Sequence, residues 1–186
     1  NTLINSKTRY LDKQGIEIAN LVSDYSNNPN VPNYKFMNLR RNYQEGVKCS
    51  GSNCSMFRKE SGANFESVEF TIRKHLYAGQ GWHHYLSKNI NRLKKKSTPL
   101  DLVLPGRLDF FRLKLEQLSA SDKEVRFKLQ FDNWLISLFA PVLFLNYDLE
   151  SLKILQYEGP SNIKNENEES QQVKIIYLHE SEVNQS

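Results

Sequence analysis

Strict alternation constrains this chain more than any other feature. In "EVRFKLQFD" (124–132), Val125, Phe127, Leu129 and Phe131 share one face, and Glu124, Arg126, Lys128, Gln130 and Asp132 share the other. A side-chain period of two belongs to a strand with one face buried. "FRLKLE" (111–116) repeats it through Phe111, Leu113 and Leu115, and "ESVEFTI" (66–72) through Val68, Phe70 and Ile72. Weaker runs at 3–11, 16–25, 34–43, 46–50, 54–59, 100–104, 142–148, 152–158 and 172–178 also read as strands. "DKQG" (12–15) and "YDLESL" (147–152) read as tight turns between neighbouring strands.

One stretch follows a different period. After "YAGQG" (77–81), Trp82, Tyr85, Leu86, Asn89, Ile90 and Leu93 recur at three and four, as on an amphipathic helix near 82–96. Gly79 and Gly81 mark its entry, Pro99 a stop, and Lys94, Lys95 and Lys96 favour the negative end of the helix dipole. The expected class is mainly β (α+β): a curved antiparallel sheet or half-barrel with one main helix, built as a single domain over 1–186. The polar, acidic "PSNIKNENEESQQ" (160–172) reads as a mobile loop, and 179–186 as a frayed tail.

The most apolar run is "NWLISLFAPVLFLNY" (133–147). Trp134 to Leu145 is too short to span a bilayer, which takes about 20 apolar residues. Val142 to Leu145 are apolar on both faces, so this strand is expected to be central and covered on both sides. Pro141 interrupts regular pairing ahead of it. Trp134, Leu138 and Phe139, with Phe144 and Trp82, are the expected lining of an apolar ligand site, or else the plug that closes one.

Charge narrows the partners. The net charge is +4, but Lys88, Arg92, Lys94, Lys95 and Lys96 carry five positive charges with no acid among them, and the remainder sums to −1. The basic character is local, so a general nucleic-acid surface is not expected. The Lys94–Lys96 run fits either a solvated helix end or contact with anionic headgroups. The chain starts at Asn1 without a signal-peptide pattern, from which the expectation is that an upstream segment was removed.

Cys49 and Cys54 enclose "SGSN", whose turn-formers can bring two thiols together across a hairpin tip. A disulfide there implies an oxidising compartment; two free thiols would not. Their spacing is not that of a redox C-x-x-C pair, and no nearby His completes a zinc site. No metal or other cofactor is expected. His83 and His84 point about 100° apart on a helix and do not easily share a metal. With Trp82 and Tyr85 they mark either an aromatic edge or two ordinary half-exposed positions. His75 and His179 stand alone. Asp132, Asp148, Glu150 and Glu158 are turn or strand-end carboxylates, with no spacing that singles out an acid–base pair. No glycine-rich phosphate loop is present, and "LPGRLDFF" (104–111) offers only a Pro-Gly turn.

The stretches "AGQGWHHYLSKNINRLKKKSTPLDLVLPGRLDFFRLKLEQL" and "NWLISLFAPVLFLNYDLESLKILQYEGPSNI" resemble an uncharacterised family of exported bacterial proteins. In that family an AG-containing helix entry precedes a P-x-R-L strand, then a WL-x-x-L-x-P segment, an L-x-Y strand, a turn and Y-x-G-x-SNI. The matching positions are Ala78 and Gly79, Pro105 to Leu108, Trp134 to Pro141, Leu145 to Tyr147 and Tyr157 to Ile163. "YQEGV" (43–47) fits a hairpin of the family as well. The likeness spans 78–163, and the chain departs from it in the Cys49–Cys54 loop and the Asn/Glu-rich tail. It implies a periplasmic or envelope location, and neither an activity nor functional residues.

Three functions follow as expectations: a non-enzymatic envelope protein binding an apolar or lipid-like ligand or a protein partner, an enzyme with a site near the His83–His84 helix, and a structural, assembly or adhesion module.

Overall fold

The computed structural model describes residues 4–93, 97–133, 141–161, 163, 169 and 171–179. The strands are β1 (Asn5–Leu11), β2 (Glu17–Asp24), β3 (Asn33–Asn38), β4 (Tyr43–Ser50), β5 (Asn53–Lys59), β6 (Glu66–Thr71), β7 (Leu76–Ala78), β8 (Thr98–Leu104), β9 (Asp109–Ala120), β10 (Glu124–Phe131), β11 (Leu143–Asp148), β12 (Ile154–Pro160) and β13 (Gln172–Ile176). The helix α1 is Gly81–Leu93, and a 3-10 turn covers Pro105–Arg107. Among the described residues 57% lie in strands and 10% in helix. The strands make two sheets rather than one, ordered β1-β2-β3-β4-β5-β6 and β13-β12-β11-β10-β9-β8-β7. Neither closes into a barrel.

By its packing the chain divides into two compact units, Asn1–Tyr85 with Leu100–Phe111 and Leu86–Pro99 with Arg112–Ser186.

The first unit holds the six-stranded antiparallel meander. Its core includes Ala19, Leu21, Phe36, Val47 and Met56. The expected strand at 34–43 is cut short, because Asn38 Oδ1 accepts the Arg41 N–H at 3.2 Å and Asn42 takes a left-handed φ of 47°. That is the local turn chemistry of asparagine. The expected buried face of "ESVEFTI" is corrected too. Among the described residues β6 is an edge strand paired only to β5, and Val68 remains 38% exposed. No reading of the sequence anticipated β7. It has three residues, too few to show a period, yet Leu76, Tyr77 and Ala78 are all buried. β7 pairs in parallel with β8 through Leu76↔Asp101, and the chain runs from one to the other by way of α1. Parallel neighbours need such a crossover.

The second unit keeps the alternation that the sequence announced. Leu113, Leu115, Val125, Phe127, Leu129, Leu145 and Tyr147 are buried. β11 lies between β10 and β12, and begins at Leu143, after Pro141. Its Phe144 face is covered by a long charged side chain. The Arg126 guanidinium lies 4.9 Å from the centre of the Phe144 ring. The base of the loop between β12 and β13 is tied, with Ser161 N–H donating to Gln171 O at 2.8 Å. Most of 160–172 lies outside the described residues, as do 180–186.

On α1 itself, Leu86, Ile90 and Leu93 are buried, while Lys88 and Arg92 are exposed. The helix has the expected apolar stripe. Lys94–Lys96 lie outside the described residues.

Candidate functional site

The Cys49–Cys54 disulfide is present. The two residues are register partners at the tip of the β4–β5 hairpin, and Asn33 Oδ1 accepts the Cys49 N–H at 2.6 Å. The hairpin ladder therefore sets the thiols opposite each other, as the turn residues between them required.

In the first unit, a turn leads from β6 into β7. Leu76 N–H donates to Arg73 O at 3.2 Å, which places His75 at the third position of the turn with φ +64°. That position ordinarily takes Gly or Asn. Beside it opens a groove of about 470 Å³ lined by Asn28, Asn30, Lys74, His75, Tyr77 and Tyr85 among others. Arg73 also borders it. Its Nη2 reaches Asp101 at 3.4 Å, and its guanidinium lies 4.9 Å from the Phe110 ring centre. The floor is fixed from two sides. Asn28 Oδ1 accepts the N–H groups of Asn30 (2.9 Å) and Val31 (3.2 Å). Asn30 O accepts the Ala78 N–H at 3.0 Å. Gly81 is needed at the start of α1, since a Cβ there would fall 2.0 Å from Asn30 O.

A second polar cluster in the same unit surrounds the Pro105–Arg107 turn. Glu45 accepts the Tyr43 hydroxyl at 2.5 Å and the Gly106 N–H. Arg58 Nη1 donates to Gly106 O at 3.0 Å, while its Nε pairs with Glu66 at 3.1 Å. Burial pushes the Glu45 carboxyl above its ordinary proton affinity, and its two hydrogen bonds hold that rise back. This brings "YQEGV" and "LPGRL", far apart in the chain, into one clasp. The sequence reading gave Glu45 and Gly106 no role, because only the fold joins them.

The histidine pair splits as helical geometry required. His84 stacks on Tyr25 with ring centroids 6.5 Å apart, and His83 meets the Trp82 edge at 6.3 Å. Desolvation, and then the neighbouring His84, pull the His83 pKa down to about 4, so His83 is neutral at pH 7. Its unfolded-state value is near 6.5, so its contribution to stability is complete above that value and is lost as pH falls toward 4.

Of the expected apolar lining, two residues are described, one in each unit. Trp82 is half-buried in the first unit. Phe144 is in the second, under Arg126, whose Nη2 pairs with Glu158 at 3.1 Å. Trp134, Leu138 and Phe139 lie outside the described residues. Of the four carboxylates considered, Asp148 caps its own turn by accepting the Ser151 N–H at 2.6 Å. Glu158 holds Arg126 and Gln156. Among the described residues no group of three His, Cys, Asp or Glu is placed to hold a metal, and no helix is long and apolar enough to cross a membrane. From the sequence His75 stood alone, and Arg73 and Lys74 had no role assigned. Their position at the mouth of a groove was not legible there.

Compared with known proteins, the chain matches no family model, no curated protein and no solved structure.

Proposed function

We propose that this chain is a non-enzymatic protein of the bacterial cell envelope that binds a small ligand in the groove beside the Arg73–Leu76 turn. The groove carries the reading. Its volume of about 470 Å³ is within the usual range for small-molecule sites, and its lining mixes aromatic walls with polar groups. His75 is held there in backbone that non-glycine residues avoid, and such strain gathers at binding sites. The disulfide supports an oxidising compartment, and the resemblance to exported proteins agrees with it. A mixed lining fits a ligand with a polar head better than a bare acyl chain, which narrows the lipid-like expectation to the headgroup end.

The test is ligand-observed NMR with anionic, neutral and cationic fragments, on the wild type and on Asn30→Phe, which fills the groove. Binding of any charge class that disappears in the folded variant supports the reading. If no fragment binds, or if binding persists with the groove filled, the reading fails.

A further inference from the structure

The charge of the groove selects among ligands. Arg73, Lys74 and His75 line it, and among the described residues no carboxylate does. Lys74 and His75 are exposed, and Lys74 has no ion-pair partner among the described residues. Asn28 adds a third donor. Its Oδ1 is committed to two backbone N–H groups, which fixes the amide orientation and leaves the NH₂ end as a donor. Ammonium, imidazole and amide are three separate donors on separate stems. Arg73 gives one nitrogen to Asp101 at 3.4 Å and lies against the Phe110 ring, so part of its fork is already turned away from the other donors. What remains suits an acceptor group with several oxygens pointing in different directions. Lysine binds phosphate in this way, as a point charge. Ile72 and Tyr85 provide an apolar wall beside the donors.

We infer that the groove binds a phosphate group carried on a small organic ligand, with Lys74, His75 and Asn28 on the phosphate oxygens and Tyr85 against the organic part. This rests on the groove being a binding site at all. The left-handed backbone of His75 then has a purpose, since it holds the imidazole in the exposed turn beside Lys74.

Two sources share this chemistry, a soluble phosphate ester and a phospholipid headgroup. The probes are phenyl phosphate, benzoate and neutral benzyl alcohol by titration calorimetry at fixed ionic strength. Vesicles of phosphatidylglycerol and of phosphatidylcholine are compared by co-sedimentation. The variants are Lys74→Ala and His75→Gly, each checked for folding by circular dichroism. The expected result is saturable binding of phenyl phosphate, tighter than benzoate, and weakened about tenfold by either substitution, as for loss of a charged hydrogen bond. Phosphatidylglycerol vesicle binding with the same sensitivity, without phenyl phosphate binding, supports the headgroup source. Benzyl alcohol binding without phosphate binding overturns the ligand class and leaves the groove standing. Phosphate binding untouched by both substitutions overturns the assignment, and no binding of any probe in any form removes it together with the groove reading.

Discussion

Besides Asn42, two turns in the first unit hold non-glycine residues in left-handed backbone, Leu108 at φ 52° and His75 at φ 64°. They differ in what surrounds them. The turn before Leu108 is held on every side. Pro105 is buried, Gly106 N–H serves Glu45, and Gly106 O accepts from Arg58. Its strain is offset by neighbours that need that geometry. The turn at His75 has backbone ties, Leu76 to Arg73 and Asp101 N–H to His75 O at 2.9 Å, but its side chains face an open groove. The same local distortion is a structural joint in one place and an unfilled contact in the other. The difference lies in whether the protein itself supplies the partners.

The largest expected effect breaks the joint. A Cβ at Gly106 would lie 2.5 Å from Glu45 Oε2 and 3.0 Å from the Tyr43 hydroxyl. Gly106→Ala is expected to cost about 3 kcal/mol, from overpacking and a lost buried hydrogen bond, read as a fall in the urea midpoint. A cost under about 0.5 kcal/mol would mean that the clasp is loose and the contrast between the turns is empty.

Tyr43→Phe comes next, at about 2 kcal/mol at pH 8, the range for a hydrogen bond to a charged group. It also has a pH signature. Burial raises the folded-state affinity of Glu45 for a proton, and the Tyr43 hydroxyl opposes that rise. Without the hydroxyl the folded value climbs further above the ordinary 4.5. A raised folded value favours the native state below pH 4.5, and that advantage is lost as pH rises through the folded value. The deficit of Tyr43→Phe is therefore small near pH 4 and grows above it. A deficit constant from pH 4 to pH 8 would remove Glu45 from the account.

How much of this was legible differs with range. The strands of the second unit were readable because alternation is a local property, and Val125 to Phe131 carry it without help. The disulfide was readable because Gly51 and Asn53 sit between its cysteines. β7 was not, since three buried residues have no period. The clasp was not, because Glu45 and Gly106 acquire meaning only when β4 meets the 3-10 turn. The cover of Phe144 was not legible either: it comes from Arg126, diagonal to it on the neighbouring strand, rather than from its register partner Lys128. A long side chain can cover apolar surface while its charged end stays paired.

At the second turn the sign reverses. His75→Gly removes left-handed strain of about 1–2 kcal/mol and gives back part of it through the more flexible unfolded chain. A net gain of about 0.5–1 kcal/mol is expected, seen as a raised thermal midpoint. Loss of stability would show that the His75 side chain is part of the structure, and the contrast with Leu108 would vanish.

Lys74→Ala should be the smallest change in stability and the most informative beside the others. Lys74 is exposed, and it has no ion pair among the described residues. Exposed positions of this kind usually change stability by no more than about 0.5 kcal/mol. Removing one cation beside Arg73 also relieves mutual repulsion, so a slight gain is the expected direction, larger at low salt because exposed charges are screened. Thermal melts at about 0.02 M and 0.5 M salt test this. A gain that shrinks with added salt identifies a cationic cluster assembled at a cost to the empty fold, which is what a site for an anion would show. A salt-independent loss would instead make Lys74 a packing residue, and the turn at His75 would then be a second joint like the one at Gly106.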